Sequence, residues 1–343
     1  MGQAKWSRES WSLEVTPLTL QLKEPFTIAS HTWDDVQNVF VTLRFASVAG
    51  VGEASPDPRA GESAESVTKQ LEDLDPRELG NPFNLEGLLE VLPPGAARCA
   101  LDVALHDLAG KIAQLSVTKL LGLKGRRPPP TSVTVPIADV DAMVERARSL
   151  ADHPILKTKV GFDGDVDAIA HIREVYPGRL RVDANEGWGE DEAIDRLGEL
   201  EPFDIELCEQ PIPAGNPDAL RRVSESTSIP VFADEDVCTA ADVARLADAV
   251  NGVNVKLRKA GGIREIVRAI ATARACGLEV MIGCDLESGI AATAGAHVAP
   301  LADFVDLDGP LLLAEDPFPG LSYERGELLV PDTPGLGVTG APA

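Results

Sequence analysis

The chain has 343 residues, of which 44% are hydrophobic, 25% charged and only 4% aromatic. That composition suits a folded protein with one large, mostly aliphatic core or two modest ones, and it argues against disorder. The formal net charge of −24 repels polyphosphates and anionic lipids, so neither a nucleic acid nor a membrane is expected as a partner.

The opening segment, MGQAKWSRESW, holds no apolar stretch of the kind a signal peptide needs, and Trp6 stands where a myristoylation signal has Ser or Thr. No run of about 18 apolar residues follows, so no membrane-spanning helix is expected. Residues 12–22 and 39–47 alternate apolar and polar side chains, which predicts strands. Residues 96–121 carry apolar side chains at helical spacing and predict one helix. Residues 124–130 (KGRRPPP) read as a linker, because consecutive prolines fit neither a helix nor a central strand. This first part of the chain is therefore α+β. The cysteines are Cys99, Cys208, Cys238, Cys276 and Cys284. Their odd number and scattered spacing argue against a disulfide framework and a structural zinc site, and predict reduced, buried thiols in a cytoplasmic protein.

Beyond the linker, short apolar runs recur at 132–136, 155–160, 180–183, 205–209, 230–233, 253–257, 279–284 and 304–307. Segments of helical character lie between them, for example 140–150 and 240–249. Strands alternating with helices predict a parallel sheet, and eight of them suggest closure into a barrel. A doubly wound open sheet is the alternative, but the GxGxxG turn of that fold is missing. The last stretch, 309–343, is rich in Gly and Pro and has no ninth β/α unit; it is expected to run back over the first domain.

Barrels of this kind place their chemistry at the C-terminal ends of the strands. Strand two ends in Lys157-Thr158-Lys159, strand three in Asp183-Ala184-Asn185-Glu186, strand four in Glu209-Gln210-Pro211 and strand five in Asp234-Glu235-Asp236. Strand six carries Lys256, strand seven ends at Asp285, and strand eight carries Asp306-Leu307-Asp308. Asp183, Glu209 and Asp234 follow one another at the period of the repeat, so they stand side by side. Three converging anions repel unless a cation lies between them, and an all-oxygen carboxylate set suits magnesium. The alternative for any one of them is a cap on the helix that follows. Lys157 and Lys159, two apart on a strand, share a face, with Lys256 across the barrel. A lysine ordinarily titrates near ~10.4 and serves as a base near neutrality only if burial and neighbouring positive charge lower it to roughly 7–8. The alternative for a single lysine is a salt bridge to the acids.

The segments K-T-K, D-A-N-E, E-Q-P, A-D-E, V-K-L-R-K-A-G-G-I and D-L-D-G-P together resemble the muconate-lactonizing subgroup of the enolase superfamily. Within it the resemblance is greatest to dipeptide epimerases of the Ala-Glu type. It extends to VAGVGEASP and ALDVALHDLAG in the first part of the chain. It implies an α/β fold, a (β/α)7β modified TIM barrel at 128–310, with an α+β capping domain at 1–127 and a C-terminal segment, 311–343, that returns to the cap. It implies one Mg2+ per subunit on Asp183, Glu209 and Asp234. It also implies Lys159 and Lys256 as acid/base catalysts, Lys157 as the residue that tunes Lys159, and Asp306 and Asp308 as the site for a dipeptide's ammonium. Many members are oligomeric, so a homo-oligomer is expected.

The chemistry agrees with the residues. A hydrogen α to a carboxylate is weakly acidic, and a metal on that carboxylate stabilises the enediolate. One lysine takes the proton from one face and the other returns a proton to the opposite face, a 1,1-proton transfer. The rival readings are an o-succinylbenzoate synthase or muconate-type cycloisomerase, whose substrates carry no ammonium for the strand-eight aspartates, and a non-catalytic ligand-binding barrel. Two positions depart from the Ala-Glu pattern. His31, in the capping loop 25–32, stands where an arginine takes the glutamate side chain, and Asp285 stands where the family often has an apolar residue. Both are expected to bind substrate, with Asp285 favouring a cationic first residue and L-Ala-L-Glu used poorly; the alternative for Asp285 is a pair with Arg258 or Lys259, or a side chain that points away from the pocket.

Overall fold

In the computed structural model, residues 11–340 are described, so the readings made on the opening residues lie outside the described residues. Alternation of apolar and polar residues builds a long antiparallel hairpin, β1 (Trp11–Ile28) and β2 (His31–Phe45), joined by the two-residue turn Ala29-Ser30. The expected capping loop 25–32 is thus the tip of a hairpin. Its register shifts between Gln21 and Phe26, a bulge that re-aims the side chains nearer the tip. A third strand, β3 (Val48–Ala54), pairs with β2. Its glycines admit close packing: a Cβ at Gly50 or Gly52 would lie 2.1 or 1.9 Å from a backbone carbonyl oxygen of the helix behind.

Two helices complete this sheet, α1 (Ala64–Glu72) and α2 (Ala96–Ala113). Helix α2 is buried from Ala96 to Gly110, because the sheet covers one side and the barrel the other. It does not run on to 121 as expected. Gln114 adopts φ 58°, which ends the helix, and a single turn, α3 (Val117–Leu120), follows.

The barrel consists of β4 (Val133–Val135), β5 (Ile155–Lys159), β6 (Arg179–Asp183), β7 (Ile205–Glu209), β8 (Val231–Ala233), β9 (Gly252–Lys256), β10 (Glu279–Gly283) and β11 (Phe304–Asp306), parallel and in sequential order. Thr131 bridges to Val305, and the Ser132 amide donates to the Val305 carbonyl at 3.1 Å, which brings the first and last strands together. Around it lie α4 (Val140–Ser149), α5 (Asp165–Val175), α6 (Glu190–Leu200), α7 (Pro217–Glu225), α8 (Ala240–Arg245), α9 (Leu257–Ala260), α10 (Ile263–Ala275) and α11 (Gly289–Val298). Each outer helix turns an apolar stripe inward; in α10 it is Ile263, Ile266, Ile270 and Ala273. The barrel floor is filled by Leu207, Phe232 and Met281, with Phe304 against them.

After β11 come a helical turn, α12 (Gly309–Leu312), and a small hairpin, β12 (Ser322–Glu324) and β13 (Glu327–Leu329). Leu313 bridges to Leu22 of β1, Gly335 bridges to Ser116, and the Leu336 amide donates to Asp107 of α2 at 2.8 Å. All five cysteines are free; Cys99 and Cys208 are buried and Cys284 is half-buried. Cys238 and Cys276 are exposed, contrary to expectation, because both follow the ends of elements at the barrel surface.

Candidate active site

Strands β5, β9, β10 and β11 deliver charged side chains to one cavity of about 730 Å3, counting its open mouth, which the β1–β2 hairpin and the 55–59 segment roof over; Asp183, Glu209 and Asp234 are fully buried beside its lysines. Lys157, Lys159, Lys256, Asp285, Asp306 and Asp308 all line it. Lys159 and Lys256 come from the second and sixth of the eight strands, so they face each other across the mouth. Asn185, Glu186 and Gln210, at the ends of β6 and β7, hold positive φ, and such backbone is concentrated at functional sites.

The carboxylates and ammonium groups interleave. Lys157 Nζ lies 2.6 Å from Asp306, 3.0 Å from Asp183 and 3.0 Å from Glu209. Lys159 Nζ donates to Asp183 at 2.6 Å and to Asn185 Oδ1 at 2.8 Å. Lys256 Nζ donates to Asp234 at 2.7 Å. Lys259, one helical turn beyond Lys256, also donates to Asp234. Asn254 Nδ2 holds Glu209 Oε1 at 2.7 Å, while the buried Glu209 Oε2 lies 3.0 Å from Lys157 Nζ. Gln210 Oε1 accepts the Asp234 amide at 2.8 Å and so ties β7 to the end of β8.

Burial and charge pull the titrations in opposite directions. Burial disfavours a charged Lys157, but Asp183, Asp306 and Glu209 outweigh it and hold the ammonium well above its ordinary value. Lys256 behaves likewise, with Asp234 the largest opposing charge. At Lys157 and Lys256 the surrounding carboxylates therefore outweigh burial and neighbouring positive charge. Burial raises Asp183 and Asp234, but the lysines beside them pull both below the usual range. Glu209 is pushed up to about 8, first by burial and then by Asp183. Burial and then Asp306 push Asp308 up to about 6.

Among the described residues no three His, Cys, Asp or Glu stand in ready metal geometry, because ammonium groups span the carboxylates. The donor set nevertheless fits a hard divalent cation. It is three buried carboxylates on adjacent strand ends, all oxygen, already gathered around cationic groups.

A family model described as the enolase C-terminal domain-like domain matches residues 139–343, and one described as the mandelate racemase / muconate lactonizing enzyme N-terminal domain matches residues 12–122. This chain belongs to the enolase superfamily. Over 94% of its length it is 37% identical to the L-Ala-D/L-Glu epimerase of Bacteroides thetaiotaomicron, of which it covers 86%. A dipeptide epimerase from Cytophaga hutchinsonii, solved with Mg and D-Ala-L-Val, is 32% identical with a TM-score of 0.89, covering 96% of this chain and 95% of that one. A dipeptide epimerase from Enterococcus faecalis, solved with Mg and L-Leu-L-Tyr, has 31% identity and a TM-score of 0.89, covering 96% and 99%.

In this enolase-superfamily chain the two specificity positions sit differently from expectation. Asp285 lines the cavity, but its carboxylate already accepts from Arg258 Nε at 2.9 Å, and Arg258 also pairs with Asp57 at 3.1 Å. With its charge matched inside the protein, Asp285 gives no reason to prefer a cationic first residue. His31 is exposed at the hairpin tip, stacked on Trp33 at 4.4 Å between ring centroids, and is not one of the residues lining the cavity. The sequence reading missed Lys259 as a partner of Asp234, though its spacing after Lys256, one helical turn on, was the available signal. It also missed Asn254 and the apolar roof.

Proposed function

We propose that this chain is a magnesium-dependent dipeptide epimerase, an isomerase that inverts the α-carbon next to the substrate's free carboxylate through an enediolate. The observation that carries the reading is the pair Lys159 and Lys256, set on opposite walls of one cavity with three carboxylates on the strands between them. The epimerase activities of the relatives support it. Asp183, Glu209 and Asp234 would hold the magnesium ion, which when bound stabilises the negative charge that builds on the substrate carboxylate as the proton leaves. Lys159 takes or returns the proton on one face of the α-carbon, and Lys256 does so on the other. Asn185 orients the Lys159 ammonium, and Lys157 bridges the acids of β6, β7 and β11. Asp308, with Asp306 behind it, takes the dipeptide's ammonium; a cycloisomerase substrate brings no cation for that pair.

We place the enzyme in the cytoplasm on its free cysteines, and among the described residues no helix is long and apolar enough to cross a membrane. A homo-oligomer is expected from the resemblance, and analytical ultracentrifugation measures it.

The test is incubation of dipeptides in D2O with magnesium, read by mass spectrometry and chiral separation. One deuterium at one α-carbon with inversion is expected. Magnesium should also raise the melting temperature of wild type and leave Asp183→Asn unmoved, since a ligand stabilises only the state that binds it. A folded, magnesium-loaded enzyme that exchanges no dipeptide overturns the reading.

A further inference from the structure

Resting on the epimerase reading, we infer that the reacting second residue of the dipeptide is large and apolar, and that Phe26, Ile28, Trp33 and Val36 select it. The barrel side of the cavity carries charges from β5, β9, β10 and β11, and the 55–59 segment adds Asp57 and Arg59. The hairpin side carries none: these four side chains of β1 and β2 form its wall. Phe26 and Trp33 are direct cross-strand partners, and Ile28 lies two residues beyond Phe26 on the same face. Val36, at the wrong parity to join Trp33 on a regular strand, reaches the same wall because the register shifts between them.

The position of this wall relative to the chemistry fixes which substrate side chain it meets. The Phe26 ring centroid is 5.9 Å from Lys159 Nζ. The wall therefore begins beside a base and covers the α-carbon that loses its proton. The substrate carboxylate is drawn toward β6–β8 and the ammonium toward β11, so the side chain on the reacting carbon points away from the floor, at the hairpin.

An acidic side chain placed there would find both arginines of the cavity already paired, Arg59 with Asp57 and Glu235 and Arg258 with Asp285 and Asp57. Burying a carboxylate against the aromatic wall without a partner is costly. A phenyl or isobutyl group instead removes apolar surface from water on both sides.

The experiment compares kcat/KM for L-Ala-L-Phe, L-Ala-L-Leu, L-Ala-L-Ala, L-Ala-L-Glu and L-Ala-L-Lys. L-Ala-L-Phe or L-Ala-L-Leu should exceed L-Ala-L-Glu and L-Ala-L-Lys by at least about tenfold. In Trp33→Ala the ratio of L-Ala-L-Phe to L-Ala-L-Ala should fall several-fold, and the milder Phe26→Leu and Val36→Ala should lower it in the same direction. A preference below tenfold, or a ratio that all three variants leave unchanged, overturns this inference alone. Preference for L-Ala-L-Glu would mean that Arg59 leaves Asp57 and Glu235 for the substrate. Absence of exchange with every dipeptide overturns the epimerase reading, and this inference with it.

Discussion

Lysines become bases only when their charge is no longer required by neighbouring carboxylates, and at this site each carries such a partner. On the epimerase reading, Asp183 and Asp234 must therefore be engaged by other ligands before Lys159 and Lys256 act as bases. Lys159→Ala and Lys256→Ala should each abolish epimerisation, by at least about a thousandfold in kcat, on the scale of general acid–base catalysis. Each variant should still wash deuterium into one stereoisomer of the substrate, through the base that remains. Epimerisation that survives either substitution would contradict a base on each face. The aspartates of β11 divide their work unequally. Asp306 is committed to Lys157 at 2.6 Å and Ser132 at 2.7 Å, whereas Asp308, which also lines the cavity, accepts from the Thr134 amide at 2.7 Å on one oxygen and only from the Cys284 thiol at 3.9 Å on the other. Asp308→Asn should thus raise KM tenfold or more, the scale of a charge-assisted hydrogen bond, with a smaller loss in kcat. Because burial and Asp306 hold Asp308 at about 6, its anion is present above that pH and lost below it. KM for dipeptides should therefore rise as pH falls through 6, and the Asn variant should lack this rise.

At the scale of elements, cap and barrel meet at the loop after β9. Arg98 of α2 donates to the carbonyls of Ala260 at 2.6 Å and Gly261 at 3.2 Å, holding the end of α9. Asp102, one turn on, accepts the Ile263 amide at 2.6 Å and caps the start of α10. Gly262 makes this approach feasible: its φ is 116°, and a Cβ there would lie 2.3 Å from Asp102. Gly262→Ala should destabilise the protein by about 2 kcal/mol or more in urea unfolding, combining a strained backbone with a clash against a buried acid. It should also lower kcat, since α9 follows directly from Lys256 and carries Lys259; stability equal to wild type would mean the contact yields easily. The strands of the barrel were legible in the sequence because they are fully buried and so read as apolar runs at a fixed period. The strand-end rule then placed Lys157, Lys159, Lys256, Asp285, Asp306 and Asp308, all of which line the cavity. The roof was not legible. Phe26, Trp33 and Val36 have no common period until the bulge between Gln21 and Phe26 is known. The sequence left Arg258 and Lys259 both open as partners of Asp285, and the pairing of neighbouring strands β9 and β10 brings Arg258 to it.

For the molecule as a whole, one buried ring ties together three parts of the chain. His297 lies on α11 of the barrel; its Nδ1 is 2.7 Å from Thr118 Oγ1 and 3.3 Å from the Thr118 amide in α3, and its Nε2 is 2.9 Å from the Leu336 carbonyl in the C-terminal segment. The carbonyl requires Nε2 to donate, and the amide requires Nδ1 to accept, so the ring is the neutral Nε2–H tautomer. A second proton on Nδ1 would face an N–H donor in a dry site. Burial accordingly pushes its pKa down from 6.5 to about 4, against smaller upward pulls from the Leu336 carbonyl and Asp332. Between those two pH values the unfolded chain binds more protons at this ring than the folded chain, so stability rises with pH there. The contribution is complete above about pH 6.5 and is lost as pH falls toward 4, a total of roughly 3 kcal/mol at about 1.4 kcal/mol per pH unit. His297→Gln offers an amide donor and acceptor with no titration in this range. The wild-type unfolding free energy in urea, minus that of the variant, should therefore fall by roughly 2–3 kcal/mol between pH 7 and pH 4.5, with steady losses below pH 6. Subtracting the variant removes the opposite-signed contribution of the raised carboxyls, Glu209 and Asp308, which both proteins share. A difference that stays flat over that range would show that His297 is free to take up its proton in the folded state, and that the seam between barrel, cap and C-terminal segment is not held by a neutral ring.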